Sequence, residues 1–194
     1  MPATEGGKSG GAEAELRRLA RAEPGLTVLT GGQTGVDTIA AERALRAGLT
    51  VHLVFPRGLR QEDGSLTPAR RRRLAGASVH ELGSASFRYR TWTCAYLADA
   101  VLLLDPAGGA GCRETARAAR ALGRPLLRPA PGEVSAARVE RWLTENSARV
   151  LMVAGCRASV LAGQPGADRG VRADVAEVIA GAVSWHDCLT RGGE

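Results

Sequence analysis

The chain has 194 residues, 44% of them hydrophobic and 24% charged, with a formal net charge of +6. This is the length of one domain with a full core and the composition of an ordinary soluble globular chain. No apolar run approaches the roughly 18 residues that cross a membrane, and aromatics at 4% are too sparse for the interleaved stacking groups of a nucleic-acid binder.

Residues 1–11 are Gly-rich and polar, lack the apolar core of a signal peptide, and read as a short disordered tail. The domain is expected over residues 12–184, with residues 185–194 as a C-terminal tail. Residues 12–22 carry Leu16, Leu19 and Ala20 at helical spacing. A buried strand is predicted at 26–30, a helix at 34–47 stopped by Gly48, and a second strand at 51–55 broken by Pro56. A polar loop at 57–64 leads to a short helix bearing Arg70 to Arg73, read as a solvated face. A weak strand at 79–82 precedes a Ser-capped helix at 86–98 and the most hydrophobic strand, 101–104. Then come a helix at 114–122, a brief strand at 125–127, a helix at 135–146, a strand at 149–153, a loop at 163–170 and a last helix at 171–182.

Strands alternate with helices, and the strands are apolar on both faces. That pattern predicts an α/β fold: a Rossmann-like open parallel sheet with helices on both faces, in a single domain. Right-handed crossovers put every strand's C-terminal end on one rim, where open α/β sheets bind ligands.

Two glycine-rich segments leave that rim. The first, Leu29-Thr-Gly-Gly-Gln-Thr-Gly-Val-Asp37, contributes Gly31, Gly32, Gln33, Thr34 and Gly35. The second, Asp105-Pro-Ala-Gly-Gly-Ala-Gly-Cys-Arg-Glu-Thr115, contributes Gly108, Gly109, Gly111 and Thr115. A strand turning on glycine into a helix aims backbone N–H groups and a helix dipole at an anion. The first segment is neither a Walker A loop nor a G-x-G-x-x-G. Asp37 serves either a ligand hydroxyl or amine, or the helix N-terminus. Arg57 lies on the loop after the second strand with Glu62 and Asp63, a carboxylate pair for a sugar or a metal-bound water, or, at Asp63-Gly64, a solvated turn. Arg90 and Thr91 open a helix near the same rim, where Arg90 would clamp an anion bidentately. Within residues 108–115 Glu114 is the one acid, the candidate general base or a holder of a ribose hydroxyl.

Cys94, Cys112, Cys156 and Cys188 show no C-x-x-C pairing and no neighbouring His at zinc spacing, so no metal site is expected. Without a secretion signal the thiols are expected to be reduced and the protein cytoplasmic. Cys112, at a predicted helix start, reads as a small residue rather than a reactive thiol. His52, His80 and His186 read as scattered and unpaired.

The succession Gly31-Gly-Gln-Thr-Gly-Val-Asp37, Pro56-Arg-Gly-Leu-Arg-Gln-Glu-Asp-Gly64, Tyr89-Arg-Thr91 and Gly108-Gly109 resembles the molybdenum carrier family, the circularly permuted YpsA-like branch of the SLOG superfamily. Val150-Leu-Met-Val-Ala-Gly-Cys-Arg157 is similar to that family's closing strand and loop. The resemblance implies a protein that binds a phosphorylated nucleotide-derived or pterin ligand, with the molybdenum cofactor or a nucleotide as the bound molecule, and a homo-oligomer. The related Lonely-guy phosphoribohydrolases, which cleave nucleoside monophosphates, supply the alternative function. Their motif P-G-G-x-G-T-x-x-E meets Ala107, Cys112 and Thr115 here, and Glu114 is displaced by one residue, about 100° around a helix.

Overall fold

The computed structural model describes residues 14, 16, 18 and 21–191. The predicted N-terminal tail and much of the predicted helix at 12–22 lie outside the described residues. Leu16, which is described, is helical and buried.

Six strands form one parallel sheet: β1 (Thr27–Thr30), β2 (Thr50–Phe55), β5 (Ser78–Glu81), β6 (Ala100–Leu104), β7 (Leu126–Leu127) and β8 (Val150–Gly155). Their order is β5-β2-β1-β8-β6-β7. β1 and β6 are buried along their whole length, as strands covered on both faces must be. The last strand in sequence therefore lies at the centre, between β1 and β6, paired Thr27 to Val150 on one side and Ala100 to Leu151 on the other.

Two helix groups cover the sheet. α7 (Ala167–Arg191) packs on both α1 (Val36–Arg46) and α5 (Ala136–Glu145), and α3 (Phe87–Leu97) packs on α4 (Ala110–Ala121). Side-chain caps explain where several helices start. Ser86 Oγ accepts from Tyr89 N–H at 3.2 Å, and Ser135 Oγ from Arg138 N–H at 3.4 Å. The short helix α2 (Pro68–Arg73) begins on Thr67, with proline where a missing N–H costs nothing. Among the described residues, no helix is long and apolar enough to cross a membrane.

Four stretches differ from the sequence-based expectation, and the first is the helix expected from residue 114, which begins at Ala110. The expected loop at 57–64 contains an antiparallel hairpin, β3 (Arg60–Gln61) with β4 (Gly64–Ser65). A short helix α6 (Ala158–Ala162) follows β8. The final helix begins at Ala167 and continues to Arg191, well past residue 182. Its extension is tied down: Trp185 Nε1 donates to Ala148 O at 2.7 Å, and His186 Nδ1 accepts from Leu26 N–H at 3.1 Å.

Candidate functional site

The strand order reverses direction around β8: the chain leaves β1 toward β2 and leaves β6 toward β7. The carboxyl ends of β1, β8 and β6 thus border a switch point, where open α/β sheets leave a crevice. A cleft of about 480 Å³ lies there, lined from the first glycine loop by Gln33 and Asp37. Arg90 and Thr91 line it from α3, and Gly109 to Cys112 with Glu114 from the second loop and α4. The loop after β8 supplies Cys156 and Arg157.

Arg90 organises the first loop. It is 7% exposed, and Asp37, its partner at 3.4 Å, is 4% exposed. Its guanidinium lies directly over Gly31, where a Cβ would come within 1.2 Å of Nη1. Asp37 Oδ2 also accepts Gln33 N–H at 3.2 Å, so the carboxylate braces the loop from inside. Burial raises the Asp37 pKa despite the attraction of Arg90.

Gln33 is pinned through its carbonyl. Its Oε1 accepts Thr34 N–H at 3.1 Å and Glu62 N–H at 2.8 Å. Its Nε2 is buried without a partner, as is Arg90 Nε. Both side chains line the cleft. Across it, α4 starts on Gly109 with no side-chain cap, leaving first-turn N–H groups for which the helix has no acceptor. Two side chains with an unpartnered buried donor and an uncapped helix start thus border the same cleft. A buried donor of this kind costs about 1–3 kcal/mol unless something accepts from it.

Other candidate residues lie beside the cleft. Gly32 passes beneath the Phe55 ring at a φ of 65°, and Gly35 packs on the β8 loop, where a Cβ would lie 2.3 Å from Cys156 O. The Thr34 hydroxyl donates to Glu62, and Glu62 also accepts the Ser159 hydroxyl and, at 3.1 Å, Ser159 N–H. Burial pushes the Glu62 pKa up, but the bonds from Ser159 and Thr34 outweigh it and hold the carboxyl below its ordinary value. Glu62 therefore ties the hairpin to the first glycine loop and to α6.

The arginine run is not uniformly solvated. Arg70 donates to Gln61 Oε1 at 2.9 Å and forks onto Asp63 at 2.8 and 2.5 Å. Gln61 in turn donates to Gly32 O at 2.7 Å. Arg57 is exposed and outside the cleft lining.

In the second loop, Gly108 and Gly109 N–H donate to Asp105 Oδ1 at 2.8 and 3.3 Å, so these amides are already engaged. The Thr115 hydroxyl donates back to Gly111 O at 3.1 Å. Glu114 Oε1 accepts Trp92 Nε1 at 2.6 Å and Arg88 and Arg117 at 3.1 Å each. The Trp92 bond leads in holding its pKa below the ordinary glutamate value.

One sequence expectation is corrected, that the histidines are unpaired. His52 and His80 are a stacked pair on adjacent strands, with Nδ1 and Nε2 3.0 Å apart. Cys112 and Cys156 meet at 4.0 Å between sulfurs, and Cys156 Sγ lies 3.2 Å from Asp105 Oδ1. No local spacing signals that cluster, because the two cysteines stand 44 positions apart.

A sequence model of the circularly permutated YpsA SLOG family matches residues 28–179. Among solved structures, the "putative molybdenum carrier protein" from Syntrophus aciditrophicus SB is similar at a TM-score of 0.65 and 22% identity, over 80% of this chain and 96% of that one. That similarity is one of fold. AtPrR2 in apo form is similar at a TM-score of 0.38 and 14% identity, over 69% of this chain and 49% of that one. No curated protein matches the chain.

Proposed function

The chain belongs to the circularly permutated YpsA SLOG family, its match covering residues 28–179, and on that premise we propose that the rim cleft binds the phosphate end of a nucleotide-derived or pterin ligand. The observation that carries this reading is that the Arg90 and Gln33 side chains and the uncapped start of α4 line one cleft. Arg90 and Gln33 line the cleft from one side, and each carries a buried nitrogen, Nε and Nε2, without a partner. The first-turn amides of α4 face it from the other. A phosphate in the cleft complements both the guanidinium and the helix dipole.

Gln33, Asp37, Arg90, Thr91, Gly109, Gly111 and Glu114 form the proposed contact surface, with Gly31, Gly32, Thr34, Gly35, Glu62, Gly108 and Thr115 shaping the loops behind it. A cleft of about 480 Å³ falls within the range of small-molecule sites, roughly 300–1,000 Å³. The molybdenum carrier name of the similar structure adds the phosphorylated pterin of the molybdenum cofactor as a candidate cargo, held by the same donors. Glu114 carries three donors on one oxygen. That supports binding over proton transfer to a departing base.

Calorimetric titration with AMP, with adenosine as control, tests the reading. Saturable heat is expected from AMP and not from adenosine, with no adenine released on prolonged incubation. Arg90→Gln is expected to lose roughly tenfold or more in affinity, the value of one charge-assisted bond. Gln33→Glu keeps both acceptor contacts and puts a negative oxygen in place of Nε2, so it should weaken AMP without unfolding the loop. A folded wild-type protein that shows no saturable heat with AMP or a phosphorylated pterin overturns the proposal.

A further inference from the structure

Beneath the cleft, three metal-ligating atoms meet that no motif announces. Asp105 follows β6, Cys112 sits in the first turn of α4, and Cys156 follows β8. Their ligand atoms all lie within 4.8 Å of one another. Both cysteines are buried and line the cleft.

We propose that Asp105, Cys112 and Cys156 form a binding site for a thiophilic divalent cation of the Zn²⁺ type, with its fourth coordination position open to the cleft. Tetrahedral zinc with Zn–S bonds of about 2.3 Å and a Zn–O bond of about 2.0–2.2 Å places two sulfurs about 3.8 Å apart and sulfur about 3.5 Å from oxygen. The observed separations are 4.0 Å between sulfurs and 3.2 Å from Cys156 Sγ to Asp105 Oδ1. Little movement separates the hydrogen-bonded arrangement from a coordinated one.

The carboxylate is already oriented for the task. Gly108 and Gly109 N–H hold Oδ1, and Arg128 holds Oδ2 at 2.6 Å. Groups of this kind fix a ligand's direction and tune its donor strength. Two sulfurs and one carboxylate select a borderline-soft ion over Mg²⁺ or Ca²⁺, which take oxygen ligands. Three protein ligands with one position left over is the pattern of zinc sites that accept an outside ligand rather than of closed structural ones. Binding exchanges the two thiol protons, released to solvent, for the metal ion. Nothing in this inference depends on what the cleft itself holds.

The test uses the whole chain, reduced with a phosphine and stripped with a chelator, titrated with Co²⁺ as a spectroscopic stand-in. One equivalent is expected to produce a thiolate-to-cobalt charge-transfer band and tetrahedral ligand-field bands. Added Zn²⁺ should abolish both. Cys112→Ser and Cys156→Ser should each lose the charge-transfer band or shift it markedly, while Cys188→Ser, an exposed position on α7, should retain it. Circular dichroism checks that each variant is folded, and alanine replaces serine where one is not. A folded, reduced wild-type protein with no charge-transfer band overturns the proposal. So does a band that persists unchanged in both cleft-cysteine variants. Because the readout needs no AMP, failure here leaves the phosphate reading untouched, and the reverse also holds.

Discussion

A single methyl group at position 31 would reach 1.2 Å from Arg90 Nη1 and 2.3 Å from its Cζ. No side-chain adjustment accommodates that while the guanidinium stays on Asp37. Gly31→Ala is therefore expected to evict Arg90, leaving a buried carboxylate without its partner. The cost is about 3 kcal/mol, the range for breaking one side of a buried pair, read by urea unfolding. AMP affinity should fall with it in the same preparation, read by calorimetry. The sequence was legible at this point only in part. The string Gly31-Gly-Gln-Thr-Gly-Val-Asp37 marks the loop, but Arg90 lies 53 positions beyond Asp37. Its selection from the sequence rested on a helix predicted to start near the rim. Glu62 and Arg70 were harder to read: polar residues in a polar stretch give no sign that one fastens α6 and the other the hairpin. Cys112 and Cys156 were unreadable as a pair because only the β6-β8 pairing brings them together.

The strands were the most legible elements. Runs such as Ala100–Leu104, apolar at every position, can lie only in a sheet covered on both sides. Helices with serine starts were located to within a residue or two. The hairpin β3-β4 escaped because two-residue strands of Arg, Gln, Gly and Ser carry no hydrophobic period, and α6 because five residues scarcely make a turn and a half. The end of α7 was set too early because its last turns are held by Trp185 and His186 reaching the ends of strands remote in sequence. Within α7, Gly181 allows the close approach of α5: a Cβ there would lie 2.4 Å from Ala136 O and 2.8 Å from Val139 Cβ. Alanine ordinarily gains up to about 1 kcal/mol over glycine inside a helix. Here backbone lies in the way, so Gly181→Ala is expected to lower the melting temperature despite that gain, and calorimetric melting checks the sign.

At the scale of the whole molecule, pH is expected to act through the sheet. His52 on β2 and His80 on β5 stack across neighbouring strands. Burial lowers both pKa values, and for His80 the adjoining His52 adds to a fall from 6.5 to about 4. The unfolded chain takes up protons near pH 6.5 while the folded one resists until about pH 4, so stability is full above 6.5 and lost as pH falls through that window. Global melting temperature should drop across it, ahead of the carboxylate range, and His80→Gln should flatten the drop. The same sheet places Val150–Gly155 between β1 and β6, which have no direct pairing of their own. During synthesis, two incomplete half-sheets with open apolar edges must wait for this late segment to emerge from the ribosome. Their exposure to aggregation during that interval depends on translation speed and on holding chaperones, rather than on how stable the finished protein is.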